Sequence, residues 1–275
     1  MTNFDIHRFG RTFVWNLQMT KKEMLTNAAA MTFAFLVPFI IHVLSSIKAP
    51  ADYISTSLDD ATKINIFIYC IFFVMGGGYI FKNMKTKEQR ITFRMLPATD
   101  LEKYVVRVLY ATVMWWILGL VAFVLADLLQ MLVSLLAGID YVGSASPFFF
   151  SMLFGLEDTN ITITNSGGDS FYVALVIAVY AWSFWAYSLY ILGGALFRRR
   201  QLVLTTLAHF IIGMALTPVF ISFVDKADGE SVRLAATGLA WAAAAVFIIV
   251  CLINWWLSYR IFRRMQVINN KWLNL

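Results

Sequence analysis

The sequence predicts an all-α polytopic membrane protein, with six transmembrane helices, both termini on the cytoplasmic side, and an N-terminal amphipathic helix in the membrane interface. Three observations predict this. Charged residues make up only 14% of the 275 positions while hydrophobic residues reach 60%, against roughly 25% charged in an ordinary soluble domain. So few charges do not cover a water-facing surface of this size. The mean hydropathy is +0.71, and the apolar surplus is gathered into blocks near the ~20 residues that a helix needs to cross a bilayer. Finally, the basic residues crowd into alternate connections, the pattern that orients such spans.

Residues 1–27 form the first element. Ile6, Phe9, Phe13, Leu17 and Met24 fall on one arc of a helical wheel and Arg8, Arg11, Gln18 and Lys22 on the opposite one, with Trp15 the departure. An apolar stripe backed by cations describes a helix lying in the inner interface in contact with membrane lipid; a cytoplasmic helix packed on another protein has the same pattern. The six-helix domain over 28–257 follows, with spans at Ala28–Ile47, Ile64–Phe81, Tyr104–Ala126, Phe171–Phe197, Leu202–Val224 and Leu234–Trp256. The third span has the composition to continue to Ala137 if the helix is tilted, or broken near Asp127 and Gln130. Residues 258–275 are a cytoplasmic tail.

Orientation comes from the charges. Eighteen of the 22 basic residues lie before the first span, between spans two and three, between four and five, and after six; Lys48, Lys63, Lys226 and Arg233 are the exceptions. Basic connections stay in the cytoplasm, which places the protein in a cytoplasmic (inner) membrane with both ends inside. The pI near 9.3 is therefore topological, and no nucleic-acid partner is implied. Cys70 and Cys251 lie inside apolar blocks at different depths, which argues against a disulfide between them. The first 25 residues lack the apolar core and small-residue site of a cleavable signal.

The elbow at 82–103 is the most informative stretch. It holds two capping boxes, Thr86-x-x-Gln89 and Thr99-x-x-Glu102, separated by Pro97, which pushes the preceding residue off helical angles. A short amphipathic helix, a break at Leu96-Pro97-Ala98 and a new helix entering span three are expected. Ile91, Phe93, Met95 and Leu96 ask for a surface to bury against.

The segment Met95-Leu-Pro-Ala-Thr-Asp-Leu-Glu-Lys-Tyr104 resembles the Leu-Pro-small-Ser/Thr-x-x-Glu-Lys stretch of bacterial ABC exporter permeases of the second type, and it lies in the same place, between spans two and three of six. The resemblance implies a coupling helix seated in a cleft of an ATP-binding subunit, and a connecting helix before span one. It assigns coupling to Ile91, Phe93, Met95, Leu96, Pro97, Thr99, Asp100, Leu101 and Glu102. It further implies an ATP-binding cassette partner and a second permease copy or homologue, with no cofactor in this chain, since ATP and magnesium sit on the partner subunit. The chain departs from some members in its short connection between spans five and six, Asp225 to Arg233, and in its long outer segment, 138–170.

No Gly-x-x-x-x-Gly-Lys-Ser/Thr phosphate loop occurs, so ATP hydrolysis is expected on a separate chain. Gly76, Gly77 and Gly78 are either a hinge or a site of close helix packing. Ionisable and polar groups within spans are functional candidates: His42, Asp127 and His209, joined on the ring-rich fourth span by Tyr180, Ser183 and Tyr187, are the substrate-cavity candidates, with interhelical hydrogen bonding the alternative. His42 and Asp127 share the outer layer as a candidate gate. In the outer segment, Pro147–Gly155 is apolar but too short to cross, and lies in the interface or re-enters against the bundle; Ile161 and Ile163 alternate with threonines as in a short strand. Pro218 is expected to kink span five, and Ala235, Gly238, Ala242 and Ala245 form a small-residue face. Without metal-ligand spacing, a serine elbow or clustered carboxylates, neither a catalytic nor a metal site is expected.

The function this implies is the permease subunit of an ATP-driven exporter moving a lipid-like, peptide or drug-like substrate. A structural or sensory membrane component of a larger complex is the alternative, and copurification of a nucleotide-binding partner separates the two.

Overall fold

The computed structural model describes residues 4–81, 86–139, 142–154, 168–197, 200–224 and 230–265. Their regular elements are helical: α1 (Ile6–Ser46), α2 (Ala51–Gly78), α3 (Lys87–Met95), α4 (Asp100–Leu109), a π-helical turn (Tyr110–Met114), α5 (Trp115–Leu136), α6 (Ser146–Phe154), α7 (Gly168–Leu196), α8 (Gln201–Val224) and α9 (Glu230–Arg264). Four helical stretches are long and apolar enough to cross a membrane: Ile6–Ser46, Ala51–Gly78, Asp100–Leu136 and Thr237–Arg264. The expected strand at Ile161 and Ile163 lies outside the described residues, as do the starts of the elbow and the Asp225–Gly229 connection.

The boundaries differ from the apolar blocks in an instructive way. The expected interfacial helix and first span are one 41-residue helix. Nothing between them breaks it: Thr26 is a potential cap, but its hydroxyl bonds back to the Lys22 carbonyl at 3.0 Å, and three alanines, the best helix formers, follow Asn27. Thr12, Asn16 and Thr20 are buried, on the line that starts at Arg8, while Ile6 is 72% exposed. In α2 the helix begins just after Pro50, well ahead of the apolar block, and ends at Gly78, since the polar residues Asp52 to Lys63 form ordinary helical turns with Ser55 and Thr56 bonding back to the Asp52 carbonyl. The third span does run on past Asp127 and Gln130, to Leu136. It ends in a Schellman motif: Gly138 takes φ of 68°, its N–H donates to the Leu135 carbonyl, and the Ile139 N–H donates to that of Ser134.

The chain divides into two compact units. Phe13–Phe73 and Thr112–Asn160 form one, built from α1, α2, α5 and α6. Lys48, at φ of 64°, closes α1, and α2 returns antiparallel after Pro50. Phe123 on α5 is the centre of its core: it stacks on Phe149 of α6 with centroids 3.7 Å apart and meets Phe35 and Phe39 of α1. Tyr69 of α2 packs edge-on against Phe149, and its hydroxyl donates to the Trp116 carbonyl at 3.2 Å. At the α1–α2 end, Val43, Ile54 and Ile139 bury together.

Met1–Thr12, Val74–Ala111 and Ile161–Leu275 form the other unit, in which α7 packs along α8 and α9. Glycines set its closest approaches. A Cβ on Gly194 would stand 2.8 Å from the Gly78 carbonyl oxygen, and one on Gly77 2.9 Å from the Tyr187 ring. The segments carrying Arg8, Arg90 to Arg107, Arg200 and Arg260 to Arg264 converge at one end of this unit, through Arg8 with Glu102, Arg94 with Phe262, and Gly78 with Leu202. The charge segregation read along the sequence is thus also a spatial one.

Backbone clashes cannot be relieved by rotating a side chain, so Gly194→Ala is expected to cost about 1–3 kcal/mol. Gly213→Ala, on a helix where the added methyl meets nothing within 4 Å, is expected to add about 0.5–1 kcal/mol. Thermal unfolding of the two variants in detergent checks the contrast.

Candidate functional site: a capped elbow locked by a buried carboxylate

Both capping boxes form. The Thr86 hydroxyl accepts from the Gln89 N–H at 3.2 Å while the Gln89 side chain accepts from the Thr86 N–H. At the second box the Glu102 N–H donates to the Thr99 hydroxyl at 3.2 Å, and the Thr99 N–H to Glu102 Oε2 at 2.8 Å. Between them Leu96 adopts extended angles (φ −56°, ψ 135°), as Pro97 requires, and the chain turns from α3 into α4.

Glu102 does far more than cap. Its side chain is fully buried, and Arg8 from the start of α1 grips it in a fork, Nε to Oε2 at 2.8 Å and Nη2 to Oε1 at 2.6 Å. The Asp5 N–H adds a bond to Oε1 at 2.9 Å. A buried carboxylate is tolerable only when donors surround it in this way. The Arg8 hydrogen bonds hold its pKa at about 2, with the Asp5 and Thr99 N–H groups helping and burial opposing.

The far side of the elbow is tied to α9. Arg94 donates from Nη1 to Asp100 Oδ1 at 3.0 Å and from Nη2 to the Phe262 and Met265 carbonyls at 2.7 and 3.2 Å. A guanidinium at these last carbonyls satisfies acceptors that the helix leaves open and opposes its dipole. Phe262 stacks in parallel on Phe81 at 5.3 Å and meets Phe93 edge-on. Lys103 is buried, Nζ donating to the Arg94 carbonyl at 2.9 Å, and burial lowers its pKa. Arg107 lies over the Phe93 and Tyr110 rings, and the Tyr104 hydroxyl donates to the Trp255 carbonyl.

This divides the nine residues assigned to coupling. Phe93 and Glu102 are buried and committed to the elbow's base; Thr99 is a cap and Asp100 an ion-pair partner of Arg94. Ile91, Met95, Pro97 and Leu101 are exposed, Met95 at 78%, and Leu96 is half-buried. A stiff, internally bonded base therefore carries an apolar lip. Sequence spacing shows the caps but gives no signal for Arg8, 94 positions away, or for Arg94 and Phe262.

The other candidates fare differently. Gly76, Gly77 and Gly78 are all buried, and close packing accounts for the last two: Gly77 makes room for Tyr187 and Gly78 for Leu202. Tyr180 and Ser183 are exposed while Tyr187 is buried, so the three do not share one surface. His209 sits among the rings of Trp182, Trp185 and Tyr190, at centroid distances of 5.9, 5.6 and 6.1 Å. His42 bonds to Ser57 at 3.1 Å. Asp127 accepts from the Ser144 and Ser146 hydroxyls at 2.7 and 2.6 Å and from the Ala145 and Ser146 N–H groups at 3.0 and 3.1 Å. Asp127 holds the start of α6, and Phe149 on that helix reaches Phe123. The Pro147–Gly155 stretch thereby lies against the bundle over its described part.

No family model matches the chain, and no curated protein or solved structure is significantly similar to it.

Two outcomes test these assignments. An acid whose folded pKa lies below its ordinary value adds stability above that value, here 4.5, and loses it as pH falls toward about 2. Glu102→Gln is therefore expected to lower the melting temperature by about 4 °C or more at pH 7, with the gap to wild type closing as the pH approaches 2. Asp127→Ala strands the α6 donors and is expected to cost about 1–3 kcal/mol, read by thermal unfolding, with Asp127→Asn recovering part.

Proposed function

We propose that this chain is the permease subunit of an ATP-driven ABC exporter of the second type. It has six spans and both termini in the cytoplasm, and it works with a second permease copy or homologue and with separate ATP-binding subunits. The observation that carries the proposal is the elbow, where an exposed apolar lip of Ile91, Met95, Pro97 and Leu101 stands on a base that is capped twice and bonded to α1 and α9. Exposed apolar side chains on an otherwise charged end are the signature of a docking surface. The convergence of the basic segments at that end supports a cytoplasmic location for it. The 29-residue α7 and 24-residue α8 supply the fourth and fifth spans beside the four helices already long and apolar enough.

The lip is where a cassette binds. A displacement there cannot be absorbed by bending within α3 or at the start of α4, because both are capped. It passes into the continuous helix Asp100–Leu136 and, through Glu102 and Arg94, to the start of α1 and the end of α9. Such a lever switches access to a pathway for a lipid-like, peptide or drug-like substrate, and ATP is hydrolysed on the partner.

The test uses single cysteines at Met95 and Leu101 after replacing Cys70 and Cys251. In intact cells neither is expected to react with a membrane-impermeant maleimide. In membranes from the native host both are expected to cross-link to a soluble subunit carrying a phosphate loop. Met95→Asp combined with Leu101→Asp is expected to lower the copurifying ATPase about tenfold or more. Labelling from outside, or an assembled and active complex without an ATPase, overturns the proposal.

A further inference from the structure

Asn65 is a fully buried amide on α2 that lacks a hydrogen-bond partner at both of its polar atoms, Oδ1 and Nδ2, among the described residues. Because both atoms lack one, exchanging the amide's oxygen and nitrogen does not change the conclusion. Its position is defined by its neighbours in sequence and register. Tyr69, one turn along, donates to the Trp116 carbonyl and packs where Gly119 lacks a side chain. One turn back on α2 and one turn on along the antiparallel α5 bring Asn65 to the level of Phe123, beside the phenylalanine stack. An amide unpaired in such surroundings costs roughly 1–3 kcal/mol in protein mutational data.

Polar buried positions continue outward from it on both helices. Buried Thr62 and, beyond it, half-buried Ser57, bonded to His42, follow on α2; buried Asp127, Gln130 and Ser134 follow on α5. Gln130 donates to Ser134 at 3.1 Å, but its own Oε1 has no partner among the described residues. Asp127 and His42 are satisfied by protein groups, whereas Asn65 and Gln130 are not.

We infer that Asn65 is the inner end of a polar lane between α2 and α5 that holds a neutral group able both to donate and to accept hydrogen bonds. Asn65 presents two N–H donors and a carbonyl acceptor together, so a simple cation or anion meets only one of its needs. Water, or the hydroxyl or primary amide of a solute, meets both. A polar site of this kind suits ordered water with two to four partners, and intramembrane polar groups of this kind are characteristic of ligand pathways. The inference is independent of the transporter reading, since it concerns only α1, α2, α5 and α6.

The test needs no transport assay. Radiolytic hydroxyl labelling of the purified protein reads the occupant: Tyr69 and Phe123 are expected to be modified although buried, and the modification is expected to fall several-fold in Asn65→Leu. Titrating wild type with glycerol and with acetamide separates the sources. Loss of labelling at Tyr69 and Phe123 relative to exposed Met95 with either marks a solute site, the ratio correcting for radicals that the solutes consume in bulk, and an unchanged ratio marks resident water. Labelling at Tyr69 and Phe123 that is absent, or that persists in Asn65→Leu, overturns the inference.

Discussion

The Glu102 carboxylate is the constraint around which one end of the molecule is arranged. A full negative charge is withdrawn from water, and it survives there because a guanidinium fork and two backbone N–H groups receive it. The donors belong to two stretches of chain: Asp5 and Arg8 at the start of α1, and Thr99 at the cap of α4. One acid therefore specifies where those two segments meet. Buried ion pairs contribute less to stability than their geometry suggests, because desolvation offsets attraction; what this one supplies is a single permitted arrangement. Arg94 does the matching task on the other side of the elbow, with the last carbonyls of α9 as its acceptors. The elbow is stiff because its local caps and its long-range ties involve the same few residues.

Elsewhere the chain solves its packing in two ways. In the unit holding α7, α8 and α9, glycine lets backbones approach, so that the Gly194 position lies against the Gly78 carbonyl and a tyrosine ring fills the space beside Gly77. In the unit holding α5 and α6, bulk replaces absence, and phenylalanines from two other helices, α1 and α6, gather on Phe123. Asp127 joins this second solution. It is a charged group at a depth where charge usually signals a pathway, yet four donors from the start of α6 consume it. Its product is a seated Phe149. Asn65, uncharged and inconspicuous, is left without a partner at either amide atom among the described residues.

A surface for a partner and a site for a solute place opposite demands on a helix bundle. The lip at Met95 and Leu101 is useful only if it does not yield, and the charged base beneath it supplies that. A buried lane is useful only if some polar groups stay uncommitted, and Asn65 and Gln130 meet that condition at a cost to stability. The two features lie in different units, and each rests on its own observations.

The sequence by itself determined what depends on neighbours within a turn or on composition over twenty residues. The helical class, the apolar blocks and both capping boxes were legible because Thr99 and Glu102, like Thr86 and Gln89, are three positions apart and their bonds are local. The ends of α7 and α8 followed the apolar blocks closely for the same reason. Only the tertiary structure decided that Arg8 turns inward to Glu102 rather than outward to water, that Asp127 caps α6, and that Gly77 is shaped by Tyr187. It also decided that residues 6–46 form one helix, since an amphipathic period looks the same whether its polar stripe meets solvent or protein. Which of many possible partners a charge takes depends on the path of the chain between them. Ninety-four residues of intervening chain carry no periodic trace of that choice.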